Sequence, residues 1–257
     1  MKIICVMNLK GGTGKTVTAD NLAAILADLH GKRVLLIDAD HQGNSSSFFH
    51  WEEEGATLRD ILTGDAEPYW RESVQTTGIL NLDMIPADMS LAELDASPNF
   101  DPKRLWRLRD FLMAIREDNV YDYVVIDMPP AFSLAARAAL VAADEVIVPI
   151  KLDAFSVKGM AELLRQLRSM ERVNPGLTLA GVLITMWRNI DVVHQAEEVL
   201  RSSRDLKVFR TTIRRTDRVD ESTFQRQPLH IYSPRSAASI DYQQFVAEYL
   251  LGGRENG

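Results

Sequence analysis

The chain has 257 residues, a net charge of −7 with its histidines neutral, 46% hydrophobic and 25% charged residues. That composition belongs to a globular protein long enough for one large α/β domain or two small ones, and not to a molecule that attracts polyanions over its whole surface. Cys5 is the single cysteine, which excludes an intrachain disulfide or a cysteine-built metal or iron–sulfur site within one chain and suits a reducing cytoplasm.

In chain order, KIICVM (2–7) is an apolar run of strand character, and a glycine-rich turn separates it from a helical pattern over 16–29. RVLLID (33–38) reads as a buried strand, and LNLDMIP (80–86), which alternates, as another. Then come a helical pattern over 103–117, the strand YVVID (123–127), a helix over 134–143 and the strand EVIVPI (145–150). A helix over 157–172, the strand LAGVLIT (179–185) and a helix over 192–203 follow. The helices read as amphipathic, and most of the strands lack polar alternation, as parallel strands covered on both faces do.

This order predicts an α/β fold, a doubly wound, mostly parallel sheet flanked by helices. No repeat or Pro/Gly-rich linker interrupts it, so residues 1–257 are expected to form a single domain. Ligands of such sheets bind beyond the carboxyl ends of the strands, where Asp38, Asp40 and Asp127 fall. No apolar run reaches the ~18 residues of a membrane span, and the early first strand leaves no room for a secretory leader. The closing run SIDYQQFVAEYLLGGRENG is apolar at Ile240, Phe245, Val246, Tyr249 and Leu250 but has almost no basic face. It reads as a packing helix and not a membrane anchor.

The turn MNLKGGTGKTVTAD (7–20) nearly matches the phosphate-loop pattern G-x-x-x-x-G-K-[ST], with Leu9 where the first glycine belongs. Gly11, Gly12 and Gly14 permit backbone approach to phosphate oxygens, and the following helix adds roughly half a positive charge at its N-terminus. Lys15 is placed for the β- and γ-phosphates and the Thr16 hydroxyl for Mg²⁺. Lys10, at the front edge, points away from its own helix towards whatever lies across the phosphates.

With Lys10-Gly11-Gly12-Thr13-Gly14-Lys15-Thr16, the loop resembles the deviant Walker A family of P-loop NTPases, whose motif is K-G-G-x-x-K-[ST]. RVLLIDADHQGNSSS (33–47) resembles the first switch segment of ParA/Soj partition ATPases, usually LLIDLDPQGNAT, and VVIDMPP (124–130) their Walker B and second switch segment. LNLDMIPADMSLAELD, ADEVIVPIKLDAFSVKGM and the stretch from VFRTTIRRTDRVDE to the C-terminal helix resemble later family segments in the same order.

The resemblance implies ATP bound by Lys10, Gly11, Gly12, Thr13, Gly14, Lys15, Thr16 and Val17, with Lys10 reaching the ATP of a partner subunit in an ATP-dependent homodimer. It implies Mg²⁺ held near Thr16, Asp38 and Asp127, and Asp40 positioning the attacking water, so that Lys10, Lys15, Asp40 and Asp127 carry catalysis. His41 stands where proline is usual, and Val17 replaces a threonine beside the α-phosphate. In the stretch 213–216 that the family uses near the base, Arg214 replaces a proline, with Thr216 beside it.

Residues 201–218 carry seven basic side chains, Arg201, Arg204, Lys207, Arg210, Arg214, Arg215 and Arg218, against Asp205 and Asp217. By resemblance this surplus binds nonspecific DNA through Arg210, Arg214, Arg215 and Arg218; contacts to phosphates would be sequence-independent and salt-sensitive. A solvated helix end paired with surface acids is the plainer alternative. KRLWRLR (103–109) reads as a helix with snorkelling arginines.

The resemblance as a whole implies a cytoplasmic, nucleoid-associated ATPase without an N-terminal helix-turn-helix domain. It would segregate a plasmid or chromosome with a ParB-type activator protein. Two alternatives stay open: the same ATPase positioning another cargo, and a biosynthetic ligase of the deviant Walker kind, which would need a substrate pocket in place of the basic tract.

Overall fold

The computed structural model describes residues 1–49, 55–65, 70–96, 101–153, 156–203 and 206–252. Arg204 and Asp205 of the basic tract, and Phe155 of the later family segment, lie outside them.

The first strand, β1 (Lys2–Val6), alternates between two cores: Ile3 and Cys5 face one side of the sheet, Ile4 and Val6 the other. After the glycine turn come α1 (Lys15–Asp28), β2 (Val34–Asp38) and the short α2 (Asn44–Phe48). The Asp60 carboxylate accepts the Thr57 N–H at 2.8 Å and so starts α3 (Leu58–Thr63). Then follow β3 (Gln75–Thr76), β4 (Leu82–Ile85), α4 (Glu93–Ala96) and α5 (Arg104–Asp118). After β5 (Tyr123–Asp127), the Ser133 hydroxyl caps α6 (Leu134–Ala142) by accepting the Ala136 N–H at 3.1 Å. The rest is β6 (Glu145–Lys151), α7 (Ser156–Met170), β7 (Thr178–Trp187), α8 (Asp191–Ser202), β8 (Val208–Arg214), α9 (Asp217–Phe224), α10 (Leu229–Tyr232) and α11 (Ala237–Gly252).

The strands form one sheet in the order β3-β4-β2-β5-β1-β6-β7-β8, parallel throughout except for β3 against β4. Side chains of α3, α5, α6, α7 and α8 fill the core on one face, and those of α1, α10 and α11 the core on the other. The chain leaves β1 towards β2 on one side and later returns to β6 on the other, so β1 stands at a switch point, where sheets of this kind open a crevice. The order also places Asp127 beside the P-loop strand: Val6 pairs with Asp127, and Asp127 with Asp38.

Three expectations change. α1 is not amphipathic: Ala19 and Leu22 to Ala27 are all buried, because the helix is wedged between the sheet and α10 and α11. VFRTTIR, in the tract that the plainer alternative reads as a solvated helix end, is the edge strand β8. Its outer N–H groups do not face open water. Glu248 of α11 accepts those of Arg210 (2.7 Å) and Thr211 (2.9 Å), and Asp241 that of Arg214 (2.9 Å), which closes the edge to further pairing. In α11 itself Tyr242, Phe245, Val246 and Tyr249 are buried, whereas Ile240 is 40% exposed. The helix packs, as expected, but through Tyr242 in place of Ile240.

Candidate active site

The loop after β1 is tied down before it reaches its glycines. The Asn8 side chain donates to the Pro149 carbonyl at 2.7 Å and accepts the Lys10 N–H at 2.9 Å; Thr185 of β7 donates to the Thr13 carbonyl at 2.8 Å. Gly12 and Gly14 have φ of 69° and 80°, a conformation that side chains disfavour, and Gly14 begins α1 with no side chain capping it. The first N–H groups of α1 therefore face the loop, with open space over Gly11 and Gly12. That cradle fits an anion.

Lys15 is only 7% exposed, with the Lys10 carbonyl 3.5 Å from its ammonium. Burial pulls its pKa below the usual lysine value, while the charges of Asp127 and Asp40 oppose the shift. A lysine held this way is short of anionic partners, which phosphate oxygens would supply. The Lys10 side chain forms an ion pair with Asp153, just beyond β6 in its own chain.

Asp38 and Asp127 are both fully buried at the carboxyl ends of β2 and β5. Burial, then hydrogen bonds from Ser46 and Asp40 acting against it, leaves Asp38 raised to about 6. Burial and the charge of Asp38 push Asp127 up to about 8, against the neighbouring Thr16 hydroxyl and Lys15. Asp38 accepts the Ser46 N–H (2.9 Å), the Ser46 hydroxyl (2.8 Å) and the Asp40 N–H (3.1 Å). Asp127 Oδ2 takes the Ser45 hydroxyl at 3.2 Å, and its Oδ1 is buried without a hydrogen-bond partner. An orphaned carboxylate oxygen beside a threonine hydroxyl and a phosphate cradle is the donor set of a magnesium–nucleotide site. Among the described residues no three His, Cys, Asp or Glu side chains form a metal site by themselves. Magnesium in such loops is held largely by phosphates and water, so this agrees with the donor set.

Asp40, 6% exposed, starts a tight turn in which its carboxylate accepts the Gln42 N–H at 3.1 Å and its carbonyl the Gly43 N–H at 3.0 Å. Gly43, at φ 61°, is required there, since a Cβ would lie 2.8 Å from the Ala87 carbonyl oxygen. His41 Nδ1 stands 3.6 Å from Asp40. Val17 packs into the α1 core, and Arg214–Thr216 sit one strand beyond Thr13, where Arg215 donates to the Trp187 carbonyl at 2.9 Å.

The basic tract is partly spent. Arg201 pairs with Glu197, Arg218 with Glu221, and the Arg214 guanidinium is clamped by Asp241 at 2.7 and 2.9 Å. Arg210 and Arg215 are exposed, and neither has an ion pair among the described residues. The surplus counted along the sequence thus overstates the free charge, because acids distant in sequence fold onto it. On α5, Leu108, Leu112 and Ile115 are buried while Arg109 lies over Trp106, the snorkelling arrangement expected.

The sequence reading missed Asp20, Ser45, Ser46 and Asp153. Asp20 lies four residues after Thr16, on the same helix face, and that spacing was the available signal. A cavity of about 450 Å³, lined by Arg33, Trp70, Arg71, Asp83 and Tyr121 among others, opens at the opposite edge of the sheet and holds none of the expected site residues.

A family model described as an AAA domain matches residues 1–179. The sporulation initiation inhibitor protein Soj of Bacillus subtilis (strain 168) is 37% identical over 259 aligned residues, covering 98% of this chain and 99% of that one. The chromosome partitioning protein ParA of Caulobacter vibrioides is 36% identical, with 99% and 96% covered. The chain belongs to the ParA/Soj family of partition ATPases. Solved structures similar to this ParA/Soj chain include cobyrinic acid a,c-diamide synthase from Mycobacterium smegmatis with bound ADP and magnesium (TM-score 0.85, 26% identity, 100% and 97% covered). An ATP complex of Cyanothece McdA is another (TM-score 0.85, 25% identity, 97% and 96% covered).

Proposed function

We propose that this ParA/Soj ATPase binds ATP with Mg²⁺ at the β1 loop, dimerises around two nucleotides and, as the dimer, binds DNA without sequence preference. Hydrolysis, stimulated by a ParB-type partner in the cytoplasm, returns it to the monomer, and the cycle segregates a plasmid or chromosome. The observation that carries this reading is the convergence of buried Lys15, Asp127, Asp38 and Asp40 on one glycine cradle, with Asp127 Oδ1 left unpartnered. The biosynthetic alternative draws on a solved neighbour at 26% identity, against near-full-length partition relatives at 36–37%.

Within the site, the N–H groups around Gly12 and Gly14 and the Lys15 ammonium would take the phosphates, and Thr16 with Asp127 Oδ1 would hold Mg²⁺. Bound Mg²⁺ supplies charge neutralisation for the transferred phosphoryl group. Asp40 accepts a hydrogen bond from the attacking water and fixes its direction. Lys10 must leave Asp153 to reach a partner's nucleotide, an exchange of one partly exposed ion pair for a charge-assisted contact with phosphate.

Light scattering and ATP turnover of Lys10→Ala, together with duplex binding under ATP and under ADP, test the reading. Lys10→Ala is expected to bind ATP within about threefold of the parent, the scale of one surface ion pair, yet stay monomeric. Random-sequence duplex should bind with ATP and not with ADP. A Lys10→Ala protein that dimerises and hydrolyses normally, or equal duplex binding in both nucleotides, defeats it.

A further inference from the structure

The edge strand β8 does not run in step with its neighbour. Val182 lies opposite Val208 and Ile184 opposite Thr212, so β8 takes four steps where β7 takes two, and Phe209, Arg210 and Thr211 bulge out of the pairing. A bulge leaves peptide groups without ladder partners, and here side chains from two helices supply them. Glu248 of α11 accepts the N–H groups of Arg210 and Thr211 and also the Thr211 hydroxyl, at 2.8 Å. Arg201 of α8 donates to the carbonyls of Phe209 (2.8 Å) and Arg210 (3.2 Å). The inner side of the bulge is fixed as well. A Cβ on Gly181 would lie 2.7 Å from the Phe209 ring, so glycine leaves the slot that this ring fills, edge-on to Phe245 at 4.9 Å.

Arg201 is in turn held from behind. Its Nε donates to Glu197 Oε1 at 2.8 Å, and the Trp187 indole N–H donates to Oε2 of the same carboxylate at 2.7 Å. Each nitrogen of the Arg201 guanidinium thus has an acceptor within the chain, which leaves it little to offer a phosphate. What the arrangement holds still is the backbone of Arg210, gripped at its N–H by a carboxylate and at its carbonyl by a guanidinium. The Arg210 side chain is exposed and has no ion pair among the described residues. A fixed backbone beneath an exposed cation lessens the ordering that binding requires.

We propose that the β8 bulge is a mount that presents Arg210 as a phosphate contact, with Glu197 and Arg201 as positioning residues and Arg201 not itself a DNA contact. Charge along the sequence ranks Arg201 and Arg210 alike; their hydrogen bonds separate them. The proposal deepens the DNA-binding reading and rests on it.

The test is binding of a random-sequence duplex in ATP, by anisotropy at several salt concentrations, with light scattering to check dimers and thermal melts to check folding. Arg210→Ala should weaken binding and flatten the plot of log K against log salt by about 2 across a dimer, at about 0.9 counterion per phosphate. Glu197→Ala and Arg201→Met break the brace with opposite changes of charge, so each stands in for the other if one fails to fold. Both should weaken binding by about fivefold or more, the cost of ordering one released side chain in each subunit. By charge alone, loss of the Glu197 carboxylate beside a basic flank would tighten binding. Glu197→Gln has the charge of Glu197→Ala but keeps an acceptor for Arg201, and should recover part of the loss. In an Arg210→Ala background neither brace variant should weaken binding by more than about twofold, and Arg201→Met should leave the salt slope where it was. Parent-like or tighter binding by Glu197→Ala overturns the proposal. So do losses of equal size with and without Arg210, which a merely structural tie would give. A further flattening of about 2 by Arg201→Met in the Arg210→Ala background would make Arg201 a phosphate contact and overturn its positioning role. A parent protein that ignores the duplex at every salt concentration defeats the DNA reading itself.

Discussion

The carboxyl edge at β2, β5 and β1 and the β8 flank beside it both gather charge, in opposite ways. At the first, Lys15, Asp38, Asp40 and Asp127 are at most 7% exposed; backbone N–H groups and serine hydroxyls hold the three acids, and the Lys15 ammonium faces the Lys10 carbonyl. At the second, the arginines stand in water, with the Arg214 side chain 47% and that of Arg218 55% exposed, and several already have acid partners. Charges out of water interact more strongly and have no solvent to replace a lost partner, whereas exposed pairs are screened and individually worth about 0–1 kcal/mol. The nucleotide edge is therefore expected to respond to single substitutions almost all-or-none, and the flank to respond in increments.

The largest effect expected is on turnover. Asp40→Ala should lower single-turnover ATP hydrolysis by about 100-fold or more, the range of a lost general base or water-positioning group, while the ATP-bound dimer persists in light scattering. Wild-type turnover would move the role to another group. Next, Lys15→Ala should weaken nucleotide binding by about 100-fold, since buried charge-assisted hydrogen bonds are lost. Calorimetry that finds near-parent affinity would place the phosphates elsewhere.

On the flank, the prediction compares two pairs of arginines. At about 0.9 counterion per phosphate contact, replacing Arg210 and Arg215 with alanine should flatten the plot of log K against log salt by up to about 3–4 across a dimer. Replacing Arg214 and Arg218 should change the slope less, because Asp241 and Glu221 already hold them. Anisotropy of a random duplex at several salt concentrations decides, and the reverse ranking would erase the contrast between free and paired charge.

The smallest effect concerns His230, buried against α1 with Nε2 2.9 Å from Asp28 and Nδ1 without a partner. Burial lowers its pKa below the ordinary 6.5, and the hydrogen bond and charge of Asp28 only partly offset this. A depressed histidine contributes stability above the ordinary value, lost as pH falls through the lower folded one, because the unfolded chain then binds the extra proton. Melting temperatures should fall more steeply below pH 6.5 in the parent than in His230→Gln, and the curves should run parallel above about pH 7.5, beyond the imidazole range. Parallel curves throughout would remove His230 from the pH response.

What could be read in advance was local in sequence. Five of the eight strands were legible as apolar runs of the right length and a sixth, LNLDMIP, by its alternation, and the phosphate loop as three glycines and a lysine between a strand and a helix. What could not be read depended on partners far along the chain. VFRTTIR shows little continuous apolarity, since β8 is an edge strand with one face half exposed, and its N–H groups are satisfied by Asp241 and Glu248 of α11. Asp20 was invisible as a site residue because a lone acid in a helix is ordinarily solvated; here it is buried, with the Ser45 hydroxyl 2.7 Å from its Oδ1.

The sequence by itself determined the αβ alternation, the parallel sheet, the anion cradle at the start of α1 and the presence of acids at strand ends. Strand burial and glycine conformation are properties of a few neighbouring residues, and they leave a pattern in one dimension. Only the tertiary structure decided which charges are free and which are taken. It placed Asp127 between Asp38 and the loop strand, set Asp20 behind Ser45, laid Asp153 on Lys10 and Asp241 on Arg214, and left Arg210 and Arg215 exposed. The physical reason is that the energy of a charge depends on its distance from other charges and from water, and those distances exist only once the sheet has brought separate segments together.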